Sequence, residues 1–357
     1  MEQVRDHLRL RRRGGLAVVI LDRQDALNAL NHAMVRTLSG WLRRWREDPE
    51  VGAVVVRPAP GRAFCAGGDV REIMERRRRL GVDAAWSFFH DEYRLNWRIK
   101  RFPKPYLAVM DGITMGGGVG ISIHGSHRIV TERTLFAMPE TGIGFFPDVG
   151  GTYFLPRLPG ASGMYLGLTG ARIRAADCLH LGIATHRIRA ERWPEIEERL
   201  AAVPAGELAE AVEEVLLAYA EPPEPSEIAR LRPAIDRCFA RDRLEEVWAA
   251  LEADADGFGS AQLEVLAQKS PLALKITFRQ LRLGRSLEFE QAMRLEYRLV
   301  RGFLEEEEFA EGVRAIVVER DRKPRWRYAT VACVPEEAVD RFFTAHAEVQ
   351  LPLDWDP

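Results

Sequence analysis

Neither sign of charge prevails in this sequence of 357 residues, where 51 Lys and Arg face 53 Asp and Glu for a net charge of −2. That balance removes the general electrostatic argument for a nucleic-acid partner or a membrane surface, so any anionic ligand has to be met by local charge. Cysteine is equally sparse. Cys65, Cys178, Cys238 and Cys333 lie far apart and form no C-x-x-C pair, which argues against a zinc site or a disulfide framework and reads as free thiols in a reducing compartment. Long apolar runs are missing as well, since Leu16 to Leu21 is too short for a membrane span or a signal core. The expectation is a cytoplasmic globular protein, and the sequence shows neither a repeat of solenoid period nor a low-complexity tract.

Several catalytic signatures are missing too. Gly120-Ile121-Ser122-Ile123-His124 has His where a nucleophile elbow needs its second glycine, and His124 and His127 do not form H-E-x-x-H. The glycine run at Gly116 to Gly118 is not followed by Gly-Lys-Ser/Thr and lacks the G-x-G-x-x-G register, which disfavours a nucleotide-phosphate cradle. No metal site is expected.

What is present is a 46% hydrophobic chain with a clear change of pattern along its length. Leu8 to Leu10 and Leu16 to Asp22 flank Gly14-Gly15 and read as a β-hairpin. Asn31 to Arg46 has helical spacing, Val51 to Val56 reads as a buried strand, and further strands are expected at Tyr106 to Met110 and Arg128 to Val130. From about Trp193 onward strand signals nearly vanish, and amphipathic patterns such as Leu208 to Tyr219, Leu244 to Leu251, Leu272 to Leu283 and Phe289 to Val300 take over. Pro222, Pro223 and Pro225 mark a surface connection. The expected division is a mixed α/β core over 1–190, a helical region over 191–330 packing on it, and an extension over 331–357. Glu305 to Glu308 reads as a solvated helix start.

Three stretches could carry chemistry. Ala63 to Asp69, with Gly67-Gly68, is a small-residue turn between a strand and the helical pattern Val70 to Arg79. Asp111 to Gly120 is a second such turn, with a helix expected at Ile121 to His124. Small residues let a ligand approach the backbone, and two turns each giving one N–H could serve one carbonyl oxygen. In the third, Phe136 to Gly151, Glu140 and Asp148 stand amid apolar residues with no Lys or Arg, surroundings that raise a carboxyl pKa into the range of a general acid or base. Taken alone, Asp69 is equally an N-cap, Glu140 a helix-start residue and Asp148 a turn residue. Glu92 lies on an apolar stripe of the expected helix Ala84 to Arg98, where most charged side chains simply reach solvent. The basic run Arg76 to Arg79 reads as a solvated face, with the option of meeting a phosphate.

Read together, Leu27-Asn28-Ala29-Leu30, Ala63 to Val70, Asp111 to Gly120, Pro139-Glu140, Phe309 to Ala315 and Lys323 to Trp326 resemble the crotonase superfamily of enoyl-CoA hydratases and isomerases over nearly the whole chain. Within it, Phe64 to Val70, Gly112 to Gly120 and the Phe-Pro-Asp-Val-Gly-Gly core of Phe136 to Leu158 resemble the 3-hydroxyisobutyryl-CoA hydrolases, as does the helical region from about Glu195 to Arg301. The resemblance implies a spiral of β-β-α units with a helical C-terminal region. It also implies hydrolysis of a 3-hydroxyacyl-CoA thioester in valine catabolism, 3-hydroxyisobutyryl-CoA and 3-hydroxypropionyl-CoA both being candidate substrates. By the same resemblance Gly68 and Gly117 form an oxyanion hole, Glu140 and Asp148 are catalytic, and Glu92, Gly117, Glu140, Asp148 and Ala66 touch the substrate. No cofactor is called for, coenzyme A being part of the substrate. The expected partner is the small-molecule acyl-CoA, with no nucleic acid and no membrane, and a homo-oligomer is left open. Hydratases carry a second catalytic glutamate where this chain has Gly120, so Gly120 departs from their pattern. A hydratase or isomerase acting on a 2-enoyl-CoA and a non-catalytic CoA-binding protein are the alternatives.

Overall fold

The structure, a computed structural model, describes residues 2–356. It opens with three antiparallel strands, β1 (Glu2–Arg5), β2 (Leu8–Arg13) and β3 (Leu16–Leu21). The Gly14-Gly15 turn sets the second hairpin, pairing Leu8 with Leu21 and Arg13 with Leu16. The first turns on Asp6 and His7, both at positive φ, and escapes the sequence because neither is glycine. Asn31 then caps α1 (His32–Trp45), its side chain accepting the Met34 N–H at 2.8 Å.

From there strands come in pairs that part company. β4 (Ala53–Pro58), β6 (Tyr106–Met110) and β8 (His127–Val130) extend the first sheet, while β5 (Ala63–Cys65), β7 (Ile113–Met115) and β9 (Leu135–Ala137) build a second. Two short strands, β10 (Ile173–Arg174) and β11 (His186–Arg187), complete the orders β1-β2-β3-β4-β6-β8-β11 and β10-β9-β7-β5. Between the pairs lie α2 (Val70–Leu80) with α3 (Val82–Lys100), then α4 (Gly117–Gly120), then α5 (Gly151–Phe154), α6 (Ser162–Thr169) and α7 (Ala175–His180). This is the β-β-α spiral that the resemblance implies.

No strand follows β11 among the described residues. The helices are α8 (Trp193–Ala201), α9 (Leu208–Leu217), α10 (Glu227–Phe239), α11 (Leu244–Glu252), α12 (Phe258–Leu266), α13 (Pro271–Gly284), α14 (Phe289–Glu305), α15 (Glu308–Val313) and α16 (Glu336–Thr344). Strand periodicity decides what they cover. Val18, Ile20, Val55, Leu107 and Val109 point to one face of the larger sheet, where Trp193, Ile196, Leu200 and Leu208 seal them, and Val19, Val54, Val56 and Ala108 point into the main core. On the other side α3 packs between α1, α2 and α14, with Trp86 stacked on Tyr297 at 4.5 Å. Residues near the C-terminus cross α3 as well, since Arg94 bonds Asp354 at 2.5 Å and the Asp356 carbonyl at 2.7 Å.

Three expectations need correcting. The helix expected at Ile121 to His124 starts at Gly117 and ends at Gly120, because the Ser122 hydroxyl donates back to the Gly118 and Val119 carbonyls at 2.8 and 3.1 Å and competes with continuation. The run Glu305 to Glu308 is not one solvated start. Glu305 ends α14, and Glu308 is buried, accepting from Ser270 Oγ at 2.5 Å and Arg327 N–H at 3.2 Å. In the basic run Arg76 to Arg79, Arg78 and Arg79 stand on a solvated face as expected, whereas Arg77 is largely buried and donates to the Leu304 carbonyl at 2.6 Å.

Candidate active site

Three strands of three residues, β5, β7 and β9, run parallel, and each hands the chain to one component at its C-terminal end: Gly68, Gly117 and Glu140. Ligands gather at that edge of parallel sheets because the loops leaving it converge. The turn at Gly68 is held by the loop before α1. Ala66 N–H donates to Leu27 O at 3.0 Å, Leu30 N–H to Gly67 O at 2.8 Å, and Asp69 N–H to Leu30 O at 2.8 Å. Asn28, fully buried, braces this loop by donating to Ala63 O at 3.0 Å. Asp69 then caps α2 through Glu72 N–H at 3.1 Å and pairs with Arg23 at 2.7 Å. The Gly68 N–H itself has no acceptor among the described residues.

Gly117 meets this turn from the other strand. Gly116 sits at φ 48°, ψ −122°, a conformation open to glycine alone, and so directs the N-terminus of α4 towards Gly68. A Cβ on Gly117 would lie 3.1 Å from Gly68 N and 2.6 Å from Glu92 Oε1. The Gly117 N–H, at the start of a helix, likewise has no acceptor among the described residues. Two free backbone donors thus stand side by side. Ala66 belongs to the same turn, and with its N–H committed to Leu27 it offers a ligand its carbonyl and methyl group.

Three carboxyl groups close on these donors. Glu92 comes from α3, and its stripe faces the site instead of solvent: the side chain is 2% exposed and Oε1 has no partner. Glu140 heads the turn after β9, 6% exposed, with Oε2 unpartnered. That turn is fixed by Phe145 N–H on the Glu140 carbonyl at 3.0 Å and by Ser270 N–H on the Thr141 carbonyl at 3.1 Å. Asp148 is 5% exposed and accepts from the Tyr93 hydroxyl at 2.7 Å.

Burial pushes Glu92 and Glu140 well above the ordinary carboxylate range, and the nearby Asp148 charge adds to both shifts; Lys269 pulls Glu140 back somewhat. Burial also raises Asp148, to about 7, against the lowering effect of the Tyr93 hydrogen bond. Like charges this close cannot all ionise at neutral pH, so the group shares protons and can both give and take them.

The loop carrying Asp148 is held residue by residue. Gln280 donates to Pro147 O and to Thr152 Oγ1, both at 2.7 Å. His124 donates to Val149 O at 2.7 Å, and burial pushes its pKa down to about 3, so the ring is neutral. Glu296 accepts the Gly150 and Thr152 N–H groups, each at 2.8 Å. Val149 itself is β-branched at φ 49°, a conformation that persists only when its surroundings impose it.

Gly120, the departure noted in the sequence, faces a filled space. A Cβ there would lie 2.7 Å from Asn96 Nδ2 and 2.8 Å from Val149 Cβ. Asn96 is fully buried, and neither its amide nitrogen nor its oxygen has a partner. Sequence reasoning misses Tyr93, Asn96, Lys269, Gln280 and Glu296. For Asn96 a signal exists, since it follows Glu92 by one helical turn on the same face of α3.

Residues 16–343 match the enoyl-CoA hydratase/isomerase family profile. The chain is 41% identical to the mitochondrial 3-hydroxyisobutyryl-CoA hydrolase of Xenopus laevis, over 99% of this chain and 96% of that protein. It is also 41% identical to the human mitochondrial 3-hydroxyisobutyryl-CoA hydrolase, over 94% and 87%. Among solved structures it resembles a carnitinyl-CoA dehydratase from Mycobacterium thermoresistibile, with a TM-score of 0.90, 38% identity and coverage of 98% and 99%. An enoyl-CoA hydratase from Rhodobacter sphaeroides gives a TM-score of 0.87, 37% identity and coverage of 96% and 98%. Among the described residues no helix is long and apolar enough to cross a membrane. With the profile spanning most of its length, and relatives this similar covering nearly all of it, the chain belongs to the enoyl-CoA hydratase/isomerase family.

Proposed function

We propose that this chain hydrolyses 3-hydroxyacyl-CoA thioesters, converting 3-hydroxyisobutyryl-CoA and water to 3-hydroxyisobutyrate and coenzyme A. In this reading the Gly68 and Gly117 N–H groups receive the thioester oxygen as negative charge develops on it, shielded from water. Glu140 either attacks the carbonyl carbon or takes a proton from the water that does. By either route the C–S bond breaks, the coenzyme A sulfur leaves with the electron pair, and a carboxyl of the site returns a proton to it; where Glu140 attacks, water then cleaves the acyl–Glu140 anhydride, releasing the hydroxy acid and restoring the carboxylate. Asp148 accepts a hydrogen bond from the substrate 3-hydroxyl, and Glu92 and Ala66 line the acyl site. Coenzyme A enters with the substrate and no separate cofactor takes part. This places the reaction in valine catabolism, and the buried free thiols of Cys65, Cys178 and Cys238 suit the reducing cytoplasm.

The observation that carries hydrolysis over hydration is the filled space at Gly120. The names of the two solved relatives, a dehydratase and a hydratase, favour removal or addition of water at a double bond, which in the hydratases uses a second carboxylate at that position. Here Asn96 and Val149 occupy the room it needs. Gly120→Glu is therefore expected to destabilise the protein by about 1–3 kcal/mol through overpacking, and to confer no hydration of crotonyl-CoA. Thermal unfolding and the loss of enoyl absorbance check both points. The proposal itself is tested by free thiol released from 3-hydroxyacyl, enoyl and saturated acyl-CoA esters. Crotonyl-CoA hydration by the wild type without thiol release from the 3-hydroxy ester would overturn it.

Asp148→Asn is expected to lower kcat/KM for 3-hydroxyisobutyryl-CoA by about 10- to 100-fold, the worth of one hydrogen bond to a charged acceptor, and to affect isobutyryl-CoA less. The same variant has a stability signature. An acid whose pKa rises on folding, as Asp148 does from 3.8 to about 7, favours the fold fully below its unfolded pKa and loses that contribution as pH rises through the folded one. Asn has no proton to lose. The Tm of the variant relative to wild type is thus expected to climb from about pH 4 to about pH 8, and a pH-independent difference would show that Asp148 does not titrate in this way.

A further inference from the structure

Glu296 is fully buried on α14, has no ion-pair partner among the described residues, and lies close enough to Asp148 for the two charges to oppose each other. A buried carboxyl beside another is costly unless its hydrogen bonds compensate. Both of its oxygens are used, Oε2 on Gly150 N–H and Oε1 on Thr152 N–H, each at 2.8 Å. Gly150, at φ 93° and with His124 Cε1 only 2.4 Å from where a Cβ would stand, has no room for a capping side chain of its own, so the start of the four-residue α5 is held from another helix. What the two bonds fix is the stretch directly after Asp148. Gly150 is held from α14, Val149 is held at φ 49° with its carbonyl on His124, and Asp148 reaches back to Tyr93 on α3.

We propose that Glu296 is a positioning residue for the reaction: by clamping Gly150 and Thr152 it holds Val149 in its left-handed conformation and so fixes the Asp148 carboxylate where the 3-hydroxyl of the substrate meets it. The inference rests on the role given to Asp148 above. It makes the helical C-terminal region part of substrate selection, since Asp148 has no freedom to follow a hydroxyl set at the wrong distance. Releasing one of the two bonds lets the loop relax, and a misplacement of about 1 Å at a reacting group costs on the order of 100-fold.

The test is Glu296→Gln, which keeps the size and one acceptor but turns an amide N–H towards a backbone N–H. We expect kcat/KM for 3-hydroxyisobutyryl-CoA to fall about 10- to 100-fold, and the preference for that ester over isobutyryl-CoA to shrink at least about fivefold. In an Asp148→Asn background the same substitution is expected to change the preference by less than about twofold, because coupled residues are not additive. Equal losses on both esters, an unchanged preference, or an undiminished effect in the double variant would each overturn the inference and leave the hydrolase reading intact. No thiol release from either ester by the wild type would overturn both. If the Gln variant does not fold, Glu296→Asp, one methylene shorter, carries the same comparison.

Discussion

Glu140→Gln is expected to lower kcat for 3-hydroxyisobutyryl-CoA by about 10²- to 10⁴-fold, with a much smaller change in KM. The glutamine fills the same space and keeps one acceptor oxygen, but it neither attacks a carbonyl nor takes a proton from water. Its folding is not at risk, because Glu140 Oε2 has no partner to lose and the substitution removes a charge that Asp148 opposes. A drop in activity therefore reports chemistry and not collapse, and an unchanged or raised Tm is the accompanying control. The pH profile adds a second reading. Burial and Asp148 push Glu140 well above the usual carboxylate range, so wild-type kcat/KM is expected to climb with pH through a raised carboxyl pKa, and the variant to lose that limb. A variant with wild-type kcat would remove Glu140 from the chemistry.

Gly117→Ala is expected to cost about 10²- to 10³-fold in kcat, the typical effect of losing one oxyanion donor. Its methyl group would arrive 2.6 Å from Glu92 Oε1 and 3.1 Å from Gly68 N, in the gap where the two N–H groups converge. Either the helix start moves back or the Glu92 carboxyl swings away, and both disturb the pair. Gly68→Ala provides the contrast. There the added carbon meets the rim of the Phe88 ring at 3.4 Å and Ile73 Cδ1 at 3.9 Å, ordinary contacts, so the loss is expected to stay within about tenfold. If the two alanine variants are equally active, convergence at Gly117 does not matter and the oxyanion assignment falls.

Much of this arrangement is legible in the sequence alone, and the reasons differ from part to part. The Gly14-Gly15 hairpin, the strands at Tyr106–Met110 and His127–Val130 and the later helices follow local patterns, which depend only on neighbouring residues. Gly67-Gly68 and Gly116 to Gly118 stand out because consecutive glycines have a conformational cost. Glu92 is ambiguous, since an apolar stripe on a helix does not say whether its partner surface is core or ligand site. Here the partner surface is Gly117, contributed by another part of the chain. Tyr93 is set by what faces it across space, and no local feature marks its hydroxyl. Glu296 does leave a local trace: Ala292, Met293, Leu299 and Val300 flank it at helical spacing and are all buried, so a charge among them has to be satisfied internally. The helix expected at Ile121 to His124 is misplaced because glycine ordinarily breaks a helix, whereas the unusual backbone of Gly116 starts one.

The stacking of Trp86 on Tyr297 joins helices 211 residues apart in sequence, and the bond from the Trp86 indole to the Tyr297 carbonyl spans the same gap. Closing so long a loop is slow compared with forming the hairpins and helices inside it. Refolding from denaturant should accordingly pass through a stage in which the sheets are built while α14 has not yet docked, and in that stage the loop after Asp148 lacks its Glu296 clamp. Recovery of enzymatic rate would then trail recovery of secondary structure, so the catalyst is finished last although most of its reactive groups lie in the first half of the chain.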